Sequence, residues 1–178
     1  MSVTAEELQP LWGLQIKVNR GGPEAVEGIL IGIQVDHFTL LLPKGEVVYI
    51  ANRHVKSVSN LSDQPWNGIR KAPAFVRVPY FVQLLRALAG RTVQINRGGP
   101  EKIVGVIRAI YGSSVVLKSG RELVLVQIGH IKSVEALRAG QGNNSQQNQS
   151  SSNQNQKNNK NQSNNKSNKK SNNKNNKR

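Results

Sequence analysis

Cysteine is missing from all 178 residues, which excludes disulfides and thiolate metal sites. No apolar run approaches the roughly 20 residues that a membrane span needs, so no membrane insertion is expected. The opening residues, Met-Ser-Val-Thr-Ala-Glu-Glu, have neither the basic nor the apolar region of a signal peptide. The chain is therefore expected to stay in the compartment where it is made. Acid is scarce, at 10 Asp plus Glu against 25 Lys plus Arg, and the deficit is unevenly placed. From Gln141 to Arg178 there are seven lysines, one arginine and no acid. A surplus of this kind favours weak, nonspecific binding of polyanions by the tail and says nothing about fold.

A catalytic constellation is also lacking. Of the three histidines, His54 and His130 have no second His or carboxylate at ligand spacing, and His37 reads as a loop residue. General acid–base work needs a nucleophile or acid partner, and none recurs beside either histidine. The sequence gives no reason to expect an enzyme, a cofactor or a metal. Each histidine reads better as a strand-entry residue bonded to backbone.

What is present is a duplication. Asn19-Arg20-Gly21-Gly22-Pro23-Glu24 returns letter for letter as Asn96-Arg97-Gly98-Gly99-Pro100-Glu101, 77 residues later. His54-Val55-Lys56-Ser57-Val58 is answered by His130-Ile131-Lys132-Ser133-Val134 at an offset of 76. Two landmarks at almost one separation mark a repeated unit, so both copies should share a fold. The division is 1–60 for the first repeat, 61–79 for a Pro-containing linker, 80–140 for the second repeat and 141–178 for the tail.

In each repeat a short helix leads into about five strands. Thr4 is the expected N-cap of a helix over Glu6–Trp12, ended by Gly13. Leu14 to Asn19 alternates apolar and polar as a half-buried strand, and Arg-Gly-Gly-Pro makes a hairpin turn. Ala25–Val35, Phe38–Leu42, Glu46–Ala51 and Val55–Ser59 follow as strands, with Gly28 expected to mark a bulge or a bend that lets the sheet curl. The second repeat reads the same way: helix Tyr80–Ala89, strand Thr92–Asn96, Gly105 at the place of Gly28, then Val115–Lys118, Glu122–Gln127 and Ile131–Glu135. Such a series is the plan of a small open barrel. Each half is small enough to be marginal alone, and pairing edge strands would bury more surface. The tail collapses to Asn, Gln, Ser and Lys, cannot bury apolar surface, and is expected to be disordered.

The Gly-Gly-Pro turn has two readings. It is a hairpin that needs glycine, with Arg20 and Glu24 paired across it, or both copies form a binding or assembly surface whose backbone amides and arginine face a partner. His54, Lys56, His130 and Lys132 serve as repeat landmarks.

Helix, five strands and a closing His-x-Lys-Ser-Val resemble the Sm-like RNA-binding barrel over about Glu6–Asn60 and Tyr80–Leu137. That resemblance implies an RNA-binding alternative, with Phe38 offered as a base-stacking side chain. A fuller resemblance rests on Asn-Arg-Gly-Gly-Pro-Glu-Ala-Val-Glu-Gly-Ile-Leu (19–30) with His-Val-Lys-Ser-Val downstream. This pair is similar to the repeated N-terminal module of the spore coat protein B family of endospore-forming bacteria, which also ends in a low-complexity hydrophilic tail. The resemblance covers nearly the whole chain. It implies a non-enzymatic structural protein made in the mother cell and deposited on the outer layers of the spore coat. Its implied partners are other coat proteins, with self-association open.

Overall fold

The computed structural model describes residues 2–137; the expected basic tail lies outside the described residues. Helix α1, Ala5–Leu8, runs into a 3₁₀ turn at Gln9–Leu11. Thr4 caps it as expected: its hydroxyl accepts from the Glu7 amide, and the Glu7 carboxylate accepts from the Thr4 amide. Strands β1 (Gln15–Val18), β2 (Val26–Ile33), β3 (His37–Leu41), β4 (Val47–Ala51) and β5 (Val58–Asn60) follow. The second repeat supplies α2 (Phe81–Ala87), β6 (Thr92–Ile95), β7 (Ile103–Tyr111), β8 (Ser114–Ser119), β9 (Glu122–Gln127) and β10 (Ser133–Ala136).

The mainly β expectation holds, and the repeats pair by edge strands as their small size suggested, in a sheet that is not closed. All ten strands make one antiparallel sheet in the order β5-β1-β2-β3-β4-β10-β6-β7-β8-β9, open at β5 and β9. The repeats fuse where β4 pairs with β10, with Tyr49 opposite Val134 and Val48 opposite Glu135. Within each repeat the strand order is the same, which is what a duplicated unit requires.

The one-residue slip between the landmarks falls in a single turn. Leu40 pairs with Val48 and its counterpart Leu117 pairs with Val124, so β3 and β8 are 77 apart while β4 and β9 are 76 apart. The second repeat has lost a residue from the β3–β4 hairpin, where the insertion or loss of one residue leaves strand faces unchanged.

Two apolar clusters form, one per repeat. Leu8, Ile16, Leu30, Phe38, Leu40, Val48 and Ile50 fill the first. Phe81, Leu84, Leu85, Val93, Ile107, Leu117 and Val134 fill the second, and Tyr49 and Ala51 belong to it too. Strand β4 therefore sends alternate side chains into different cores. Its sequence Val-Val-Tyr-Ile-Ala has no polar residue, as expected of a strand buried on both faces.

Gly28 does not mark the bulge. The β2–β3 register shifts between Leu30 and Gly32, and the β7–β8 register between Ile107 and Ala109. Gly28 is instead a point of close approach: a Cβ there would lie 2.8 Å from the Leu41 carbonyl oxygen, and one on Gly105 would lie 2.7 Å from that of Lys118. The stretch 61–79 folds back over the sheet rather than hanging between the halves. The Trp66 amide donates to the Gly13 carbonyl at 2.8 Å, Phe75 packs against the second core, and the Val76 amide donates to the Tyr49 hydroxyl at 2.8 Å.

His37, expected in a loop, opens β3 and is fully buried, edge-on to Phe81 at 5.7 Å and 6.3 Å from Tyr49. Its Nδ1 lies 3.0 Å from Asp36, whose same carboxylate oxygen accepts the Phe81 amide at 2.7 Å. A first-repeat residue thus caps the second-repeat helix. Burial holds the His37 imidazole below its ordinary value of 6.5, against a smaller opposing pull from Asp36. Between the two values the unfolded chain binds more protons, so stability present above pH 6.5 is lost as pH falls through the folded value. Melting temperature should fall between pH 7 and 5, and an imidazole NMR titration should find His37 titrating below 6.5. Asp36→Ala should cost about 1 kcal/mol as a lost cap, read as a lower urea midpoint.

Candidate functional site at the repeat junction

The two landmark motifs meet inside each repeat. Asn19 adopts φ 55°, a left-handed conformation that asparagine tolerates better than most residues. That geometry aims its Oδ1 at the Lys56 amide, which donates at 2.8 Å, while the Asn19 amide donates to the Ser57 carbonyl at 2.9 Å. The Arg20 amide donates to the Ser57 hydroxyl at 3.3 Å. In the second repeat Asn96 also has φ 55°; its Oδ1 accepts from Lys132 at 2.8 Å, its amide donates to Ser133 at 3.0 Å, and the Arg97 amide donates to the Ser133 hydroxyl at 3.1 Å. Gly22 and Gly99 sit at φ 81° and 82°, where glycine carries no steric cost. Asn, Gly and Ser are thus fixed by backbone chemistry.

The remaining letters are used between the repeats. Pro23 of the first turn lies against Gly98 of the second so closely that a Cβ on Gly98 would fall 1.5 Å from the Pro23 carbonyl oxygen. Glu24, expected to pair with Arg20, instead reaches across the junction to Lys132, with Oε1 2.5 Å from Nζ, and lies 3.5 Å from Lys56. Lys132 also meets Glu101 at 2.9 Å. The hydrogen bond from Lys132 is the largest cause holding the Glu24 carboxyl below its usual range; bonds to Glu24 and then Glu101 hold the Lys132 ammonium above its own. With Glu24 and Lys132 a quarter to a third exposed, and Glu101 and Lys56 more so, these pairs contribute more to register than to stability.

Directly after β4, the 3₁₀ turn Asn52–His54 docks onto its counterpart Ile128–His130. Arg53 donates to the Ile128 carbonyl, and His54 Nε2 lies 2.8 Å from the Gly129 carbonyl, which requires it to donate. Burial is the first cause holding the His54 imidazole below its ordinary value. His130 is exposed and its carbonyl accepts from Asn96 Nδ2 at 3.5 Å. Arg97 pairs with Glu135, which is 4% exposed, and approaches Glu46 at 3.8 Å. Desolvation pushes the Glu135 carboxyl up, and Arg97 opposes it.

Arg20, Gly21 and Pro100 lie at the exposed ends of the same architecture. The cavity beside Glu24, His54 and Lys132 is only about 30 Å³, room for a water, while a larger one of about 510 Å³ between the repeats is lined by Glu46, Tyr49, Phe75, Arg91 and Glu135. Among the described residues no group of three or more His, Asp or Glu is placed to hold a metal ion. Phe38, offered as a base-stacking side chain, is wholly buried in the first core. Sequence reasoning missed Tyr49, Asp36 and Glu135. Only Tyr49 carried a signal, the unbroken apolar run of β4.

In sequence, the chain is 29% identical to spore coat protein B of Bacillus subtilis (strain 168) over 125 residues, covering 67% of this chain and 31% of that protein. It spans about a third of the length of the curated relative it matches. The relationship read from the repeated motifs is thereby supported over two thirds of the chain. No protein-family model matches the chain, and no solved structure matches it.

The junction makes the two copies of one motif unequal. Gly98→Ala should break the contact with Pro23 and lower the urea midpoint, whereas Gly21→Ala, with open space around its Cα, should leave it unchanged. Asn96→Ala should cost about 2 kcal/mol, combining the left-handed conformation with a lost hydrogen bond. Asn96→Gly should recover the conformational part alone, and equal losses in both variants would refute this division.

Proposed function

We propose that the protein is a non-enzymatic structural component of the bacterial spore coat that assembles through its tandem repeats, each taken as a small Sm-like unit. The single observation carrying this reading is the use of the repeated motifs. Their side chains are spent on backbone clips and on the contact between repeats, with Glu24 bridging to Lys132 and Pro23 seated on Gly98. Residues committed to holding one unit against the next suit a building block. Similarity to a spore coat protein over two thirds of the chain supports the place of action.

In this reading the folded repeats dock among other coat proteins in the outer layers. The tail, with seven lysines, one arginine and no acid between Gln141 and Arg178, adds a cationic, hydrophilic segment able to bind polyanions weakly.

The test is where the native protein goes in a sporulating culture of its host. Quantitative mass spectrometry would compare coat extract, decoated spores and the mother-cell ribonucleoprotein fraction. Enrichment in the coat extract is expected. Absence from it, with RNA-dependent sedimentation in the cytoplasm, would replace this reading with the RNA-binding one.

A further inference from the structure

We infer that the chain joins to further copies of itself, the free strand β9 of one copy adding to the free strand β5 of the next in the register that β4 and β10 use internally. This names a partner for the proposed assembly role and rests on that role only for its setting in the coat. The joint itself follows from the repeat.

The internal junction is head-to-tail: the fourth strand of one repeat pairs with the fifth strand of the other. A heterologous contact between two like units leaves one unused half at each end of the chain. Those halves are β9, the counterpart of β4, and β5, the counterpart of β10, and they are the two open edges of the sheet. In β10 the Lys132 carbonyl accepts the Ala51 amide, so residues 132, 134 and 136 turn their backbone groups to β4. The equivalent carbonyl of Lys56 and the backbone groups of Val58 face outward with no backbone partner among the described residues.

Side chains tell the same story. β9 reads Glu-Leu-Val-Leu-Val-Gln, an apolar run suited to a strand buried on both faces. Only one face is covered: Val126 packs on the second core, while Leu123 and Leu125 are 67% and 62% exposed. Leu125 stands where Tyr49, 3% exposed, enters the neighbouring core. The receiving side is correspondingly under-covered. Leu88 and Val134 of the second core are buried, but their first-repeat counterparts Leu11 and Val58 remain partly exposed. A long apolar edge left open is an invitation to strand addition.

The polar contacts also have vacant duplicates. Glu24 holds Lys56 of its own repeat and Lys132 of the next; Glu101 holds its own Lys132 and, at 58% exposure, has room for Lys56 of a following copy, itself 78% exposed. Gly98 receives Pro23, while Gly21 has nothing within 4 Å and stands ready for Pro100. Some contacts are not duplicated: Gly129 occupies the place of Arg53, Ser113 that of Asp36, and Leu125, without a hydroxyl, that of Tyr49. The intermolecular joint therefore lacks those hydrogen bonds and is weaker than the internal one, as suits a reversible assembly step.

The experiment uses the purified full-length chain. Sedimentation velocity over a hundredfold concentration range should show species larger than one chain. Because the protein has no cysteine, Ser59→Cys and Val124→Cys can be made in separate preparations and mixed under oxidation. They correspond to Glu135 and Val48, which face each other in the internal register. A disulfide between the two variants is expected, in excess over the slipped pair Ser59→Cys with Leu123→Cys. Gly21→Ala should weaken association at least tenfold without moving the urea midpoint read at concentrations where the chain is a single copy. A single monomeric species at every concentration, trapping no greater than in the slipped pair, or full association by Gly21→Ala would each overturn the proposal. A monomeric chain that still reaches the coat would end self-addition alone; an associating chain absent from the coat would end the coat reading alone.

Discussion

The structure depends on β4 being buried on both faces. A strand's side chains alternate, so a strand at the rim of one unit ordinarily has a face to spare. Here Val48 and Ile50 complete the first core while Tyr49 and Ala51 complete the second. The second repeat does not close its apolar interior alone, since it takes Tyr49 and Ala51 from the first, which also supplies Asp36 to cap α2. Burying an aromatic side chain of this size outweighs the half-exposed ion pairs around it by several-fold. The ion pairs then have a different task. Directional groups such as Glu24 and Lys132 distinguish the correct register from one slipped by a residue, which would reverse every face of β10.

Much of this was legible in the sequence. The duplication, the helix before each set of strands, the Thr4 cap and most strand limits follow from periodicity and turn chemistry, which are local signals. What failed was non-local. Gly28 read as a bulge because glycine within a strand has two meanings, and only the position of the Leu41 carbonyl decides between them. Tandem barrels joined by edge strands were expected because each repeat contains a full set of strands, but a sequence does not state which edge meets which. His37 was placed in a loop since Asp36-His37 follows a turn, yet the ring is enclosed by Phe81, more than forty residues on.

The site divided along the same line. Gly22 and Gly99 were foreseeable from turn geometry. The roles of Asn19 and Asn96 were not, because each depends on an amide about 36 residues downstream that must meet its side chain. The expected Arg20–Glu24 pair was a local guess that lost to a contact between repeats. Within a hairpin the two side chains compete with water at full dielectric. At the junction Glu24 finds Lys132 beside the wall of the partner turn, where less water screens the pair.

Such a division explains why six consecutive letters remain identical while the strands around them differ freely. An apolar position accepts Val, Ile or Leu with modest loss, since packing is tolerant of shape. A left-handed asparagine, a glycine against a carbonyl and a carboxylate between two ammonium groups accept nothing similar. Yet Gly21, in the turn that meets no partner within the chain, has the same identity as Gly98 without the same crowding. Conformation does not require it there: Gly21 is not among the residues with positive φ. Its being glycine is unexplained by the single chain and explained by a neighbour in the position that Pro23 takes at Gly98.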